Sequence, residues 1–162
     1  MDLTAYRQSE REQSRTSDLL SLIPVAGRTA LDIGARDGHL SKLLADRFET
    51  VVALDLSRPV IDHPRVTPIQ GDACNLAFAD DTFDVVVCSE VLEHIPSPSL
   101  ERACAEIIRV VKHSAVIGVP YRQDIRLGRT TCQRCGGLNP PWSHVNSFDE
   151  QRLRNLFGKL SV

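Results

Sequence analysis

From residue 29 onward, short apolar runs alternate with stretches whose apolar residues recur at helical spacing. That alternation admits few folds other than a parallel sheet joined by crossover helices. Residues 29–33, 51–55, 66–70, 83–88 and 114–119 read as strands. Between them Leu40, Leu43, Leu44 and Phe48 mark one amphipathic helix, and Leu100, Ala103, Cys104, Ile107, Ile108 and Val111 mark a second behind a Ser99 N-cap. Pro68 has no N–H for a ladder, so its strand is expected at a sheet edge. After Pro120 the chain turns polar and Gly-rich until Ser147. There a capping box with Glu150 opens a last helix carrying Leu153, Leu156 and Phe157, closed by Gly158.

At 162 residues there is room for one domain, and 42% apolar with 25% charged residues excludes a disordered or membrane-spanning chain. Nineteen Lys and Arg against 21 Asp and Glu lack the basic excess of a dedicated nucleic-acid binder, so no nucleic-acid partner and no membrane partner are expected. The charged N-terminal stretch has no signal-peptide character, and a cytoplasmic protein is expected. Arg7, Arg11 and Arg15 recur at i, i+4 and read as a solvated helix face. The five cysteines are an odd number, three of them inside apolar segments, which argues against a disulfide framework.

The segment Asp32-Ile33-Gly34-Ala35-Arg36-Asp37-Gly38 leaves a buried strand through a tight turn into a helix. In a doubly wound sheet ligands bind at such strand ends, where glycine lets them approach the backbone. Asp55 ends the next strand, 21 residues past Gly34, where a carboxylate can accept from both ribose hydroxyls. A dinucleotide fingerprint would need glycines at positions 36 and 39, which are Arg36 and His39, so the loop does not suit a pyrophosphate. Asp32 points the same way, since a carboxylate repels phosphate and suits an ammonium group.

These residues, with Leu54-Asp55-Leu56-Ser57, Gly71-Asp72-Ala73 and the run from Phe83 through Cys88-Ser89-Glu90-Val91-Leu92-Glu93-His94-Ile95, resemble four motifs of the class I S-adenosylmethionine-dependent methyltransferases. The likeness is to the broad small-molecule group and spans residues 29–119. It implies a doubly wound, mostly parallel Rossmann-like sheet, here ending before that fold's last two strands. It also implies a single domain: a helical segment over 1–27, a cofactor-binding core over 28–120, a Cys-x-x-Cys loop over 121–147 and a helix over 148–158. S-adenosylmethionine would be held by Asp32, Gly34, Ala35, Arg36 and Gly38 on its methionine side, Asp55 and Leu56 at the ribose, and Gly71, Asp72 and Ala73 at the adenine. Cys88 and Ser89 would line the sulfonium end. Three features depart from the pattern: Arg36 in place of a small residue, Lys112-His113-Ser114-Ala115 in place of a Gly-rich turn, and the missing final strands.

The activity implied is in-line methyl transfer to a small-molecule acceptor. The competing reading is a non-catalytic cofactor- or zinc-binding interaction module derived from such an enzyme. The donor arrives activated, so a base is needed only for an acceptor that must lose a proton. His94, at i+4 from Glu90, is the first candidate, followed by His144 and Tyr121, but capping and packing of a helix is the favoured account of the Glu90–His94 pair, and no catalytic residue is assigned. Cys132 and Cys135 have the spacing of a zinc knuckle, with His144 as a third ligand and His113, Asp149 or a partner's side chain as the fourth. Bound zinc, a reduced thiol pair and a redox pair remain the alternatives there.

Overall fold

The computed structural model describes residues 4–158 and 160. In chain order the elements are α1 (Thr4–Arg7), α2 (Glu10–Ser21), β1 (Gly27–Ile33), α3 (His39–Leu44), β2 (Phe48–Asp55), β3 (Val66–Gln70) and β4 (Phe83–Ser89). A 3₁₀ turn (Leu92–His94) leads to α4 (Ser99–Val110) and β5 (Val111–Gly118). The short strands β6 (Thr130–Thr131) and β7 (Leu138–Asn139) and the helix α5 (Glu150–Leu156) complete the described chain.

Five parallel strands form one sheet in the order β3-β2-β1-β4-β5, with β6 and β7 as a separate antiparallel hairpin. Both faces of the sheet are covered, which is why its strands are apolar runs and not alternating ones. Along β1, Leu31 and Ile33 pack with α4 (Leu100, Ala103, Cys104, Ile107, Val110) on one face, while Ala30 packs with Leu44, Val51, Val85 and Ile23 on the other. Each fully buried Leu or Ile of α4 contributes ~1.5–3 kcal/mol through removal from water. β3 is the edge strand that Pro68 requires. No helix among the described residues is long and apolar enough to cross a membrane.

Sequence order reverses on the two sides of β1, and that switch point is where an open α/β sheet presents a ligand crevice. Register sets the crevice floor: Ile33 is level with Leu54 of β2 and with Cys88 of β4, so three strands release their loops at one height.

The sequence reading needs correction at the ends of three helices. Phe48 is no part of the first helix: α3 ends at Leu44, and Phe48 begins β2, 1% exposed, with its ring where a Cβ on Gly27 would stand. Helix α4 starts with Ser99, Pro98 takes the cap position without a side-chain bond, and Val111 already belongs to β5. The last helix is capped by Asp149, whose Oδ1 accepts from the Arg152 N–H at 2.8 Å. Ser147 instead gives its carbonyl to the Arg152 guanidinium at 2.7 Å, so no capping box forms.

Candidate functional site

The loop after β1 folds back on its neighbours. The N–H groups of Gly34 and Ala35 both donate to the Leu54 carbonyl, at 2.8 and 3.1 Å. Gly34 has φ +80 and a Cβ there would lie 2.3 Å from Val91 Cγ2; Gly38 has φ +73 and its Cβ would lie 2.4 Å from Ile61 Cδ1. Glycine is therefore required twice, for backbone sign and for space. Arg36 also adopts positive φ (50°), and its N–H donates to Asp55 Oδ2 at 3.0 Å. The carboxylate expected for the ribose thus also fixes the loop. Its Oδ1 accepts from the Ser57 N–H at 3.3 Å, and the Asp55 carbonyl accepts from Gly71 at 2.9 Å.

The other acids differ in exposure. Asp32 is 3% exposed beneath the loop, where Oδ2 accepts from Ser41 Oγ of α3 at 2.5 Å, and burial pushes its carboxyl up to about 6 against the effect of that bond. Asp72 is exposed; its Oδ1 accepts from the Cys74 N–H at 2.8 Å in a turn that its carbonyl closes with Asn75. Ala73 is buried beside it, and Leu56 is 71% exposed just past Asp55. Cys88 does not line the crevice as expected: its side chain is fully buried in the core with Leu31 and Leu92, because that face of β4 points at α4. Ser89 carries the side chain at this strand end, and Gly118 of β5 leaves room for it, since a Cβ there would meet Ser89 Oγ at 2.7 Å.

Of the arginine stripe, Arg11 is exposed as read, but Arg7 and Arg15 are not simply solvated. Arg15 donates from Nε and a terminal nitrogen to the two Glu12 oxygens, both at 2.9 Å, and from its other nitrogen to Ser89 Oγ at 3.0 Å. Arg7 also bonds Glu12 and reaches Asp37 of the glycine loop at 2.8 and 3.3 Å. Glu12 is 2% exposed; burial alone would raise its carboxyl, but hydrogen bonds from Arg15, Tyr6 and Arg7 hold it down at about 2. Helix α2 is thereby strapped across the ends of β1 and β4. Periodicity read these arginines as solvent-facing because a run of like charges on one helix face ordinarily only solvates it.

Beyond β4 the backbone turns at Glu90, with φ 58, so Glu90 and His94 do not share a helix face as expected. The buried carboxylate here is Glu93, which the sequence reading gave no role, since nothing local to Leu92-Glu93-His94 marks a carboxylate for burial. It is 0% exposed, and burial pushes its carboxyl up to about 7. His144, 7% exposed, stands beside it with Nε2 4.0 Å from Glu93 Oε1, its ring meeting His94 edge-on at 4.7 Å between centroids. Backbone bonds from Val145 and Asn146 to the Glu93 carbonyl, and from Asn146 Nδ2 to Leu92 and Ile95, bring this segment in. Trp142 is 76% exposed and Tyr121 62%.

His144 is thus not the third ligand of a Cys132–Cys135 site; among the described residues it clusters with Glu93 and His94. The two cysteines sit on the β6–β7 hairpin, where Cys132 N–H donates to Gly137 and Gly136 N–H to Cys132, and backbone N–H groups of Cys135 and Arg134 lower the Cys132 thiol pKa. A hollow of about 360 Å³ lined by Arg122, Ser147, Phe148, Asp149 and Arg152 shares no residue with the strand-end loops.

Residues 31–118 match the methyltransferase-domain family. Among curated proteins the chain is similar to a demethylmenaquinone methyltransferase of Renibacterium salmoninarum (34% identical over 116 residues, 68% of this chain and 47% of the relative). It is also similar to a ubiquinone biosynthesis O-methyltransferase of Albidiferax ferrireducens (32% over 100 residues, 54% and 40%). The chain therefore spans less than half the length of these relatives. Among solved structures, the N-methyltransferase NodS of Bradyrhizobium japonicum, in complex with S-adenosyl-L-homocysteine, shares the fold at TM-score 0.69 and 16% identity, over 96% of this chain and 78% of that one. With four motifs set at one end of a β3-β2-β1-β4-β5 sheet and more than half its length matched, the chain belongs to the class I S-adenosylmethionine-dependent methyltransferases.

Proposed function

We propose that this chain binds S-adenosylmethionine across the carboxyl ends of β1 to β4 and transfers its methyl group to a small-molecule acceptor. The observation that carries the reading is the bond between the Arg36 N–H and Asp55 Oδ2. It ties a loop with two obligatory glycines to the acid at the end of the neighbouring strand, so backbone and carboxylate meet one ligand together. The donor set fits this compound: Asp32, Asp55 and Asp72 set negative charge where a phosphate ligand would be repelled and a cationic one favoured.

Asp55 would hold the ribose hydroxyls, Leu56 and the Gly71–Ala73 turn would meet the adenine, and the Gly34–Gly38 loop would run along the methionine part. Asp32 acts from beneath, holding α3 to β1 through Ser41. Arg15 brings a guanidinium to Ser89, where the carboxylate of the methionine moiety is the anion it suits. The bound sulfonium supplies a methyl group already activated for displacement. What remains for the chain is alignment and exclusion of water, for which proximity alone accounts for ~7–11 kcal/mol in well-oriented reactions. The names of the curated relatives make quinone-type ring compounds the first acceptors to test.

Titration calorimetry with S-adenosylhomocysteine tests the binding half. We expect saturable heat with one site; Asp55→Ala should lose ~1–3 kcal/mol of affinity by leaving the ribose hydroxyls unpaired, and should also lower the apo melting temperature, because it releases the Arg36 and Ser57 N–H groups that the carboxylate holds. Absence of heat with folded protein overturns the reading. Methyl transfer from labelled donor to ring hydroxyl acceptors then separates an enzyme from a binding module.

A further inference from the structure

Both carboxylate oxygens of Glu93 are fully buried and, among the described residues, without a hydrogen-bond partner. Native proteins rarely leave a buried acid in that state, because its desolvation goes uncompensated. Beside it, His144 Nδ1 is bonded to Gln123 Oε1. With that oxygen as partner, which can only accept, Nδ1 carries the proton, and the unprotonated Nε2 stands 4.0 Å from Glu93 Oε1. Two electron-pair donors thus converge, too far apart to share a proton in a hydrogen bond. His94 supplies a third: one ligand atom from each of Glu93, His94 and His144 lies within 4.8 Å of the others.

We propose that Glu93, His94 and His144 form a binding site for one divalent transition metal of the zinc class. Two imidazoles and a carboxylate are the donor set of a three-ligand zinc site whose fourth position stays open. The ~2.1 Å bonds of such an ion draw the three atoms inward by torsion, chiefly of His94, which is exposed at the surface. Gln123 plays the outer-shell part, fixing the His144 tautomer and ring plane. The backbone is already set for it, since Val145 and Asn146 N–H groups hold the Glu93 carbonyl at 2.8 and 3.2 Å. An ion there would pin the segment that follows β5 to the turn that follows β4, four residues past Ser89. The site rests on these groups alone and is independent of the methyl-transfer reading.

The test uses the full chain, stripped with chelator and reloaded with zinc or cobalt(II), followed by metal analysis and the visible absorption of bound cobalt. One equivalent per chain is expected, with the intense d–d bands of a low-coordinate N and O site and no thiolate charge-transfer band. His94→Ala, a surface change that leaves the fold intact, and His144→Ala should each abolish the cobalt bands. Gln123→Leu should weaken binding ~10–100-fold. Cys132→Ser/Cys135→Ser should retain the full equivalent. Failure to hold either metal overturns the proposal, as does binding that survives His94→Ala or disappears with the cysteine pair.

Discussion

Arg15 and Ser89 are 74 residues apart in the chain and joined by a 3.0 Å hydrogen bond, which places the N-terminal helix at the exit of β4. The same guanidinium grips both Glu12 oxygens, so one side chain couples a buried acid to the strand end. Arg15→Gln should weaken docking of residues 4–21 by ~1.5–3 kcal/mol, the range for hydrogen bonds to charged groups. Limited proteolysis would show it as faster cleavage before residue 24 with the rest of the domain intact. Arg15→Lys keeps the charge without the planar fork and should fall between. Cleavage at the wild-type rate in both variants would mean that the strap contributes nothing.

Glu12 makes that docking pH-dependent. Its carboxyl titrates at about 2 when folded against an ordinary 4.5, so the stability it adds is complete above pH 4.5 and lost as pH falls toward 2. The interval corresponds to about 3 kcal/mol at ~1.36 kcal/mol per pH unit. Melting temperatures of wild type and Glu12→Gln should therefore differ at pH 5 and converge by pH 2. A gap that stays constant across that range would remove Glu12 from the linkage.

Strand positions and the edge place of β3 are legible in the sequence because they follow from local facts: a continuous apolar run, or a proline without an N–H. The glycine loop and Asp55 are legible for a related reason, since strand-end spacing fixes where they project. Phe48 misleads because an apolar residue at i+8 satisfies a helix stripe and a strand start equally well. The burial of Glu12, Glu93 and His144 is illegible for a different reason. Each owes its burial to a segment more than twenty residues distant, Glu12 to the strand ends and Glu93 to the returning 144–146 segment, and charge type alone does not record that.

Gly34 separates two costs that usually come together. A methyl group there meets Val91 Cγ2 at 2.3 Å and must also adopt φ +80. Gly34→Ala should destabilise the fold by ~1–3 kcal/mol, the range for a strained backbone position. Adding Val91→Ala should return the steric part and leave the conformational part, so the double variant stays less stable than Val91→Ala alone. Denaturant melts of the four proteins form the cycle; equal stability of Val91→Ala and the double variant would show that positive φ is not needed.

Asp32 shifts in the opposite sense from Glu12. Burial pushes its carboxyl up to about 6 from an ordinary 3.8, so the folded protein holds this proton more tightly than the unfolded chain does. Its contribution to stability is complete below pH 3.8 and is lost as pH rises through 6, by about 3 kcal/mol at ~1.36 kcal/mol per pH unit. Asp32→Asn stays neutral throughout, and the Ser41 hydroxyl can turn to serve the amide as it serves the carboxyl. Stability of the Asn variant relative to wild type should therefore climb between pH 4 and 7 and level off above. A cationic ligand bound above the loop favours ionised Asp32, so binding of S-adenosylmethionine at pH 6 should release a proton in wild type and none from this position in the variant. Calorimetry in two buffers of different ionisation enthalpy reads that difference, and equal proton release in both proteins would mean that Asp32 does not sense the ligand.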